Sequence, residues 1–329
     1  MKNLLKCSDK VRFIYAVGFL FFVVSAVLGI MLGSTPVSVA DGLNDTEMQI
    51  LLYIRFPRVI ATLVTGASLS VAGAVVQSVL ANRLASPSII GVNAGAGLGV
   101  AVCTALGFYG GIFTSVFAFC GAFFTVMAVS IASRKWGASR GTVILIGVAF
   151  NSLLVAIRDS IVTFMPEVGV MSNDFKIGEF TAITYKKLIP CVILISVTVI
   201  LLFTLANELD VLGLGEEQAK SLGLNTKLMR ILFLMAVALL SGCAVSLAGL
   251  LSFVGLIVPH IIRRLVGNET KHLLSLGVLY GGGFVSICDT IARTAFSPYE
   301  IPVGIIMAFL GAPFFIFILI KGKGGHRDA

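Results

Sequence analysis

An all-α, polytopic membrane protein is the fold class this sequence predicts, on three observations. Charged residues make up 12% of the 329 residues, about half the roughly 25% usual in soluble domains. Apolar stretches of about 20 residues, enough to cross a bilayer, recur along the chain, and the mean hydropathy is +1.03. Basic residues gather in alternate connections, as cytoplasmic loops of membrane proteins do. The 35 glycines suit helices that pack closely in lipid. The net charge of +8 follows from basic loops and does not point to nucleic acid.

Ten spans are predicted, at 11–33, 57–81, 88–108, 111–132, 141–165, 188–206, 229–250, 252–266, 273–295 and 302–320. The first follows Lys2, Lys6, Lys10 and Arg12. Its apolar run, Phe13 to Leu32, is longer than the roughly 7–15 residues of a cleaved signal. It is read as a retained helix, although Ser38-Val39-Ala40 resembles a cleavage site. The second opens at Arg55-Phe56-Pro57-Arg58. In the third, Gly91, Gly95 and Gly99 lie four apart and give one helix face for close packing; with no strand before them they are not a nucleotide loop. The fifth carries Arg158-Asp159 late in its course, read as a structural pair. In the seventh, Val245–Leu251 resembles Leu69–Val75 of the second. Five spans apart, the copies run in opposite orientation, the signature of an inverted repeat. The eighth is short and interrupted by Pro259-His260. A proline removes one helical hydrogen bond, and in lipid the freed groups need neighbouring protein or a water-filled cavity.

An even count puts both termini on one side. With the termini inside, 17 of the 24 basic residues are cytoplasmic; the exceptions are Arg55, Arg58, Arg158, Lys176, Lys186, Lys187 and Arg293. Segments 34–56 and 166–187 then lie outside, and 207–228 inside. The 166–187 segment keeps Val168, Val170, Met171, Phe175, Ile177 and Phe180, which predicts a short helix at the membrane face. Within 207–228, Glu216 and Glu217 suit a helix N-terminus and Gly223 a C-terminus. Ala219 and Leu222 give it a small apolar face. Residues 1–329 are read as a single transmembrane domain.

Little enzyme chemistry is present. The sequence holds no Walker A pattern, no H-E-x-x-H and no C-x-x-C, and its six cysteines are read as free thiols. No metal site is expected, and His260 is read as a structural hydrogen-bond partner. An ion-gradient carrier is the main alternative, and needs ionisable groups at mid-depth; Arg158, Asp159 and Asp289 come nearest. A membrane scaffold leaves the broken eighth span and the outer arginines without a purpose.

Four motifs carry a family resemblance. Phe253-Val254-Gly255-Leu256-Ile257-Val258-Pro259-His260, Asp289-Thr290-Ile291-Ala292-Arg293, Glu300-Ile301-Pro302-Val303-Gly304 and Leu310-Gly311-Ala312-Pro313-Phe314-Phe315 resemble the FecCD-type permease subunits of bacterial ABC importers for iron-siderophores, haem and cobalamin. The resemblance implies the type II ABC importer permease fold, in the cytoplasmic (inner) membrane. It implies a homodimer with the pathway at its interface, two copies of an ATPase subunit, and one extracytoplasmic binding protein. The cargo is then a metal chelate, most commonly a ferric siderophore. ATP-Mg sits on the partner ATPase, and this chain binds no cofactor. By position, Arg55, Arg58 and Arg293 correspond to arginines that receive acidic residues of the binding protein, and arginine's planar fork suits a carboxylate. Gly215, Glu216, Glu217, Ala219, Leu222 and Gly223 correspond to the coupling helix that docks on the ATPase. Asn151, Ser152, Val155, Val168, Phe175 and Phe180 correspond to the pathway and its gate. One departure stands at Ala81-Asn82-Arg83-Leu84-Ala85, where the family commonly has arginine-asparagine-proline-leucine-alanine.

Overall fold

The computed structural model describes residues 2–33, 44–109, 111–135, 140–181 and 183–323. Ser38-Val39-Ala40 and His326 lie outside the described residues. No glycine or proline interrupts residues 2–17, and helix α1 (Lys2–Met31) accordingly starts before the predicted span and takes in the basic segment.

The second span also starts earlier than predicted. Helix α2 (Asp45–Gln49) follows Asn44, whose N–H donates to Glu47 Oε2 at 3.0 Å. A π-helical turn, Ile50–Arg55, then joins α2 to α3 (Phe56–Leu80). The wide turn comes just before Pro57, where a regular α-helix has no room for the proline ring against the preceding turn. Residues 45–56, expected in a loop, therefore extend the helix.

The remaining spans fall where periodicity and length place them. A 3-10 turn, Pro87–Ile90, leads through Gly91 into α4 (Val92–Ala105). Then come α5 (Gly111–Lys135) and α6 (Arg140–Phe164). Segment 166–187 contains two short helices, α7 (Pro166–Met171) and α8 (Asn173–Ile177), as its retained apolar residues predict. After them run α9 (Tyr185–Thr204), α10 (Ala206–Leu214), α11 (Glu216–Ser221) and α12 (Thr226–Ala248). The chain finishes with α13 (Val254–Val266), α14 (Thr270–Thr294) and α15 (Val303–Lys323). The described residues include no strand. Among them, seven helices are long and apolar enough to cross a membrane; α4 and the described part of α15 are shorter apolar helices, and α13 has 13 residues.

Helix α3, which holds Leu69–Val75, and α12, which holds the first four residues of Val245–Leu251, are the most buried spans. They pack on each other, α3 also on α14, and α12 on α5. By contrast α6 has about a tenth of its apolar stretch buried, so its outer face is left for lipid, a water-filled path or another chain. The α4–α5 contact depends on the predicted glycine face: a Cβ at Gly95 lies 2.3 Å from the Gly121 carbonyl oxygen, and one at Gly99 2.2 Å from that of Phe117. No side chain fits between these backbones.

Candidate functional site

Four charged side chains meet where α3, α14 and the α14–α15 connection come together. Arg58 sits in the first turn of α3 and grips Asp289 of α14 through Nε (3.1 and 3.2 Å) and Nη2 (2.9 Å). Its Nη1 donates to Glu300 Oε2 at 2.8 Å. Arg293, one turn beyond Asp289, places Nε 3.4 Å from the other carboxylate oxygen. Arg293 Nη2 also donates to the Gly29 carbonyl of α1. Arg55 donates to the carbonyls of Ile30 and Met31 at 2.9 and 2.8 Å. Two cations thus close the C-terminal end of α1, where helix carbonyls lack intrahelical partners.

The three arginines expected to receive a partner's acidic residues are engaged by groups of this chain. Arg55, Arg58 and Arg293 are 3%, 8% and 2% exposed, and Asp289 1%. A guanidinium withdrawn from water needs a carboxylate and satisfied donors, and Asp289 supplies the carboxylate to two of them. Sequence reading missed Asp289 and Glu300 as members of this cluster. The signal was the i, i+4 pairing of Asp289 with Arg293 within an apolar helix.

The second feature is the break between α12 and α13. The sequence set the boundary between the seventh and eighth spans at 250–252 and expected a further interruption at Pro259-His260; the structure has the first, at Gly249–Phe253, whereas α13 continues as helix through Pro259-His260. Gly249 has φ +70° and Phe253 φ +69°, so the chain turns there and α13 starts afresh. The exposed backbone groups are taken up by the segment after α7: Leu250 N donates to Phe175 O (3.0 Å) and Glu179 N to Ala248 O (2.9 Å). Pro259 lies inside α13 and cannot donate to the Gly255 carbonyl. That carbonyl receives Gln77 Nε2 instead, at 3.0 Å. Gln77 is buried in α3, and Gly73, one turn earlier, lets α3 approach: a Cβ there lies 1.9 Å from the Gly255 oxygen. The requirement that neighbouring protein satisfy a proline break is met by one amide. The hydrogen-bonding role expected of His260 does not hold at Nε2, which is buried with no partner among the described residues.

The third feature is α11. Gly215 precedes it with φ +133°, and Glu216 and Glu217 occupy its first turn, as predicted. Gly223 (φ +81°) closes it: Leu224 N donates to Ala219 O and Gly223 N to Lys220 O, both at 3.0 Å. This is the paired Schellman closure. Glu216 bridges Lys220 (2.9 Å) and the buried Arg230 of α12 (3.1 Å). Those two hydrogen-bonded cations, the Lys220 contact first, hold its carboxyl below the usual carboxylate range. The expected apolar face is divided: Ala219 packs inward, whereas Leu222 is 64% exposed, and Leu214 and Leu228 of the adjoining helices are exposed as well. Asp210 of α10 accepts from Thr270 N (3.0 Å) and Oγ1 (2.6 Å). It ties the segment to the start of α14, a role with no local sequence signal.

The residues assigned to a pathway divide in two. On α6, Ser152 is exposed, with Asn151 and Val155 half-buried. Asp159, Ser160 and Thr163 follow in the exposed part of the same helix, and Asp159 accepts from Arg158 at 2.7 Å. Phe175 is half-buried and borders a cavity of about 400 Å³ with Thr104, Tyr109, Glu179, Lys187 and Ser246. Val168 and Phe180 are 2% and 1% exposed and packed in the fold. Phe180 clusters with Leu188, Leu247 and Val303.

A multi-pass helical membrane protein of permease type is therefore in hand, with no nucleotide pattern in its sequence. The chain belongs to the FecCD transport family, whose model matches residues 20–321. It is 36% identical to the ABC transporter permease protein YvrB of Bacillus subtilis, over 95% of each chain. Identity is 32% to the Fe(3+)-citrate import system permease protein YfmD of the same organism, over 94% of this chain and 95% of the relative. The vitamin B12 import system permease protein BtuC of Yersinia pseudotuberculosis is 34% identical over 82% of each chain. A solved metal-chelate type ABC transporter in an inward-facing conformation superposes with a TM-score of 0.84 at 28% identity, covering 94% of this chain and 99% of that one. The PsaBC structure from Streptococcus pneumoniae, at 15% identity and a TM-score of 0.60, shares the fold. These are type II importer permeases in architecture.

Proposed function

We propose that this chain is the membrane subunit of an ABC importer that carries a metal chelate, most consistently a ferric siderophore, inward across the cytoplasmic membrane. The near full-length match to the FecCD family carries the reading. Relatives named for iron citrate and vitamin B12 bound the cargo to wrapped chelates, with haem the remaining member of that class. The active unit is a homodimer, with both termini of each copy cytoplasmic. The exposed polar residues of α6, Ser152 with Asp159, Ser160 and Thr163, face the pathway between the two copies.

No Walker A pattern occurs in the sequence, so ATP-Mg is bound by two separate ATPase subunits. Their closure moves α11, where exposed Leu222 and Leu214 give a shallow apolar contact. The motion passes through Glu216–Arg230 to α12 and through Asp210–Thr270 to α14. Alternating access follows as a shift between two arrangements whose balance the partners bias. One extracytoplasmic binding protein delivers cargo to the opposite end, at the face that holds the Arg58 cluster.

The test is uptake into proteoliposomes containing this permease, its genomically neighbouring ATPase and its binding protein. Ferric siderophores, haem and cobalamin are offered in turn. ATP-dependent uptake of one chelate, lost in Leu222→Asp together with ATPase co-purification, is the expected result. Uptake that ignores ATP and follows a proton or sodium gradient overturns the importer reading in favour of a secondary carrier.

A further inference from the structure

We propose that Glu300 is an exchangeable counter-ion: it holds the place on Arg58 that a carboxylate of the binding protein takes on docking. The inference rests on the importer reading and on docking at this end of the bundle.

The cluster contains two cations, Arg58 and Arg293, and two carboxylates, Asp289 and Glu300. Three of the four are almost completely buried. Glu300 is the accessible one, with 27% of its side chain exposed, and it stands on a connection that is exposed from residue 295 to 300. A carboxylate arriving from solvent cannot reach Asp289's positions without dismantling α3 against α14. It can reach Arg58 Nη1 by displacing Glu300. The exchange replaces one carboxylate by another, so the buried guanidinium never loses its counter-charge, which is the expensive event for a desolvated ion. Phe296 and Tyr299, 60% and 80% exposed, flank Glu300 on the same connection. Exposed aromatics beside a charged anchor are the residue types that dominate protein interfaces.

Glu300 also lies at a junction. Ile301 N donates to Ala292 O at 3.0 Å, and Gly304 N to Gly178 O at 3.2 Å. Gly304 meets this segment closely, since a Cβ there lies 1.7 Å from the Ile177 oxygen. The connection that Glu300 anchors is therefore pinned at its far end to the segment that closes the α12–α13 break. Releasing Glu300 loosens a strap that runs to that segment, so docking is reported to the bundle by a residue of this chain.

The test is binding-protein affinity for the assembled permease–ATPase complex in nanodiscs, measured for wild type, Glu300→Gln, Glu300→Ala and Glu300→Asp. Removing the internal competitor tightens docking by about tenfold, the scale of one charge-assisted hydrogen bond. Both neutral variants shift in this direction, and Glu300→Asp stays near wild type. A merely structural Glu300 gives the opposite sign, weaker docking. Wild type that binds while both neutral variants bind equally or more weakly overturns the exchange and leaves docking standing. Wild type that does not bind the binding protein at all overturns docking at this face, and the exchange with it. In the same samples, hydrogen exchange at Gly304 rises in the neutral variants if the strap is released; unchanged protection overturns the link to Gly178.

Discussion

Replacing Gln77 by methionine tests whether one amide sustains the proline in α13. The substitution keeps side-chain volume and removes the donor that the Gly255 carbonyl receives at 3.0 Å. A buried carbonyl left without a partner costs about 1–3 kcal/mol. Part is returned, because Gln77 Oε1 is itself buried without a partner and leaves with the amide. A net destabilisation on the order of 1 kcal/mol remains, about 2–4 °C in Tm for chains of a few hundred residues. The decisive experiment is the double-mutant cycle with Pro259→Ala. Alanine restores the N–H that α13 lacks at this position, and Gly255 regains an intrahelical partner. In that background Gln77→Met is expected to cost nothing, giving a coupling of about 1 kcal/mol. Thermal unfolding of the four proteins in nanodiscs, followed by size-exclusion recovery after heating, reads it out. Effects that add within about 0.3–0.5 kcal/mol, the range for independent sites, refute the reasoning.

Other outcomes follow from the same geometry. Gly73→Ala drives a methyl into the Gly255 backbone, with contacts of 1.9–2.5 Å, and is expected to lower folded yield sharply. Gly213→Ala, where nothing lies within 4 Å, is neutral or stabilising by about 0.5–1 kcal/mol; equal behaviour of the two in a yield and Tm comparison removes the close-approach argument. Asp289→Asn leaves Arg58 and Arg293 without their shared charge and is expected to cost about 3–5 kcal/mol, seen as loss of monodisperse protein. Glu216→Gln is read through pH. The Glu216 carboxyl is depressed in the folded chain by Lys220 and Arg230, so its contribution is fully present above the unfolded value of about 4.3. It is lost as pH falls through the lower folded value. The variant is expected to have a flatter acid limb of Tm against pH than wild type; parallel limbs contradict the assignment.

Legibility in this sequence divides along the range of the interactions. Span positions were readable because about 20 apolar residues in series is a property of one segment. The α11 caps were readable for a similar reason, since Gly223 and the Glu216–Lys220 pair act within one helix and its ends, although the Glu216–Arg230 bridge to α12 was not. The extension of the second span to Asp45 was not, because Pro57 reads locally as a boundary and only the π-helical turn before it lets the helix continue. The interruption expected at Pro259-His260 is absent on the same ground: proline is a visible breaker, whereas the amide that takes up the freed Gly255 carbonyl, Gln77 of α3, lies 178 residues away in sequence.

The arginines show the deeper limit. Positive charge outside a membrane span reads as an invitation to a partner, since nothing nearby in sequence neutralises Arg58. Its partners, Asp289 and Glu300, are 231 and 242 residues away. Once the counter-charges are in place, the functional question changes from what binds Arg58 to what replaces Glu300. Of the four charges, Asp289 is locked between two guanidinium groups and contributes to the joint of α3 with α14, while Glu300 is accessible and stands on a connection that leads to Gly178. A cluster divided in this way separates stability from signalling. The buried pair holds the helices whatever occupies Arg58 Nη1, and the exposed carboxylate can leave without uncovering a bare buried charge, provided another carboxylate takes its place.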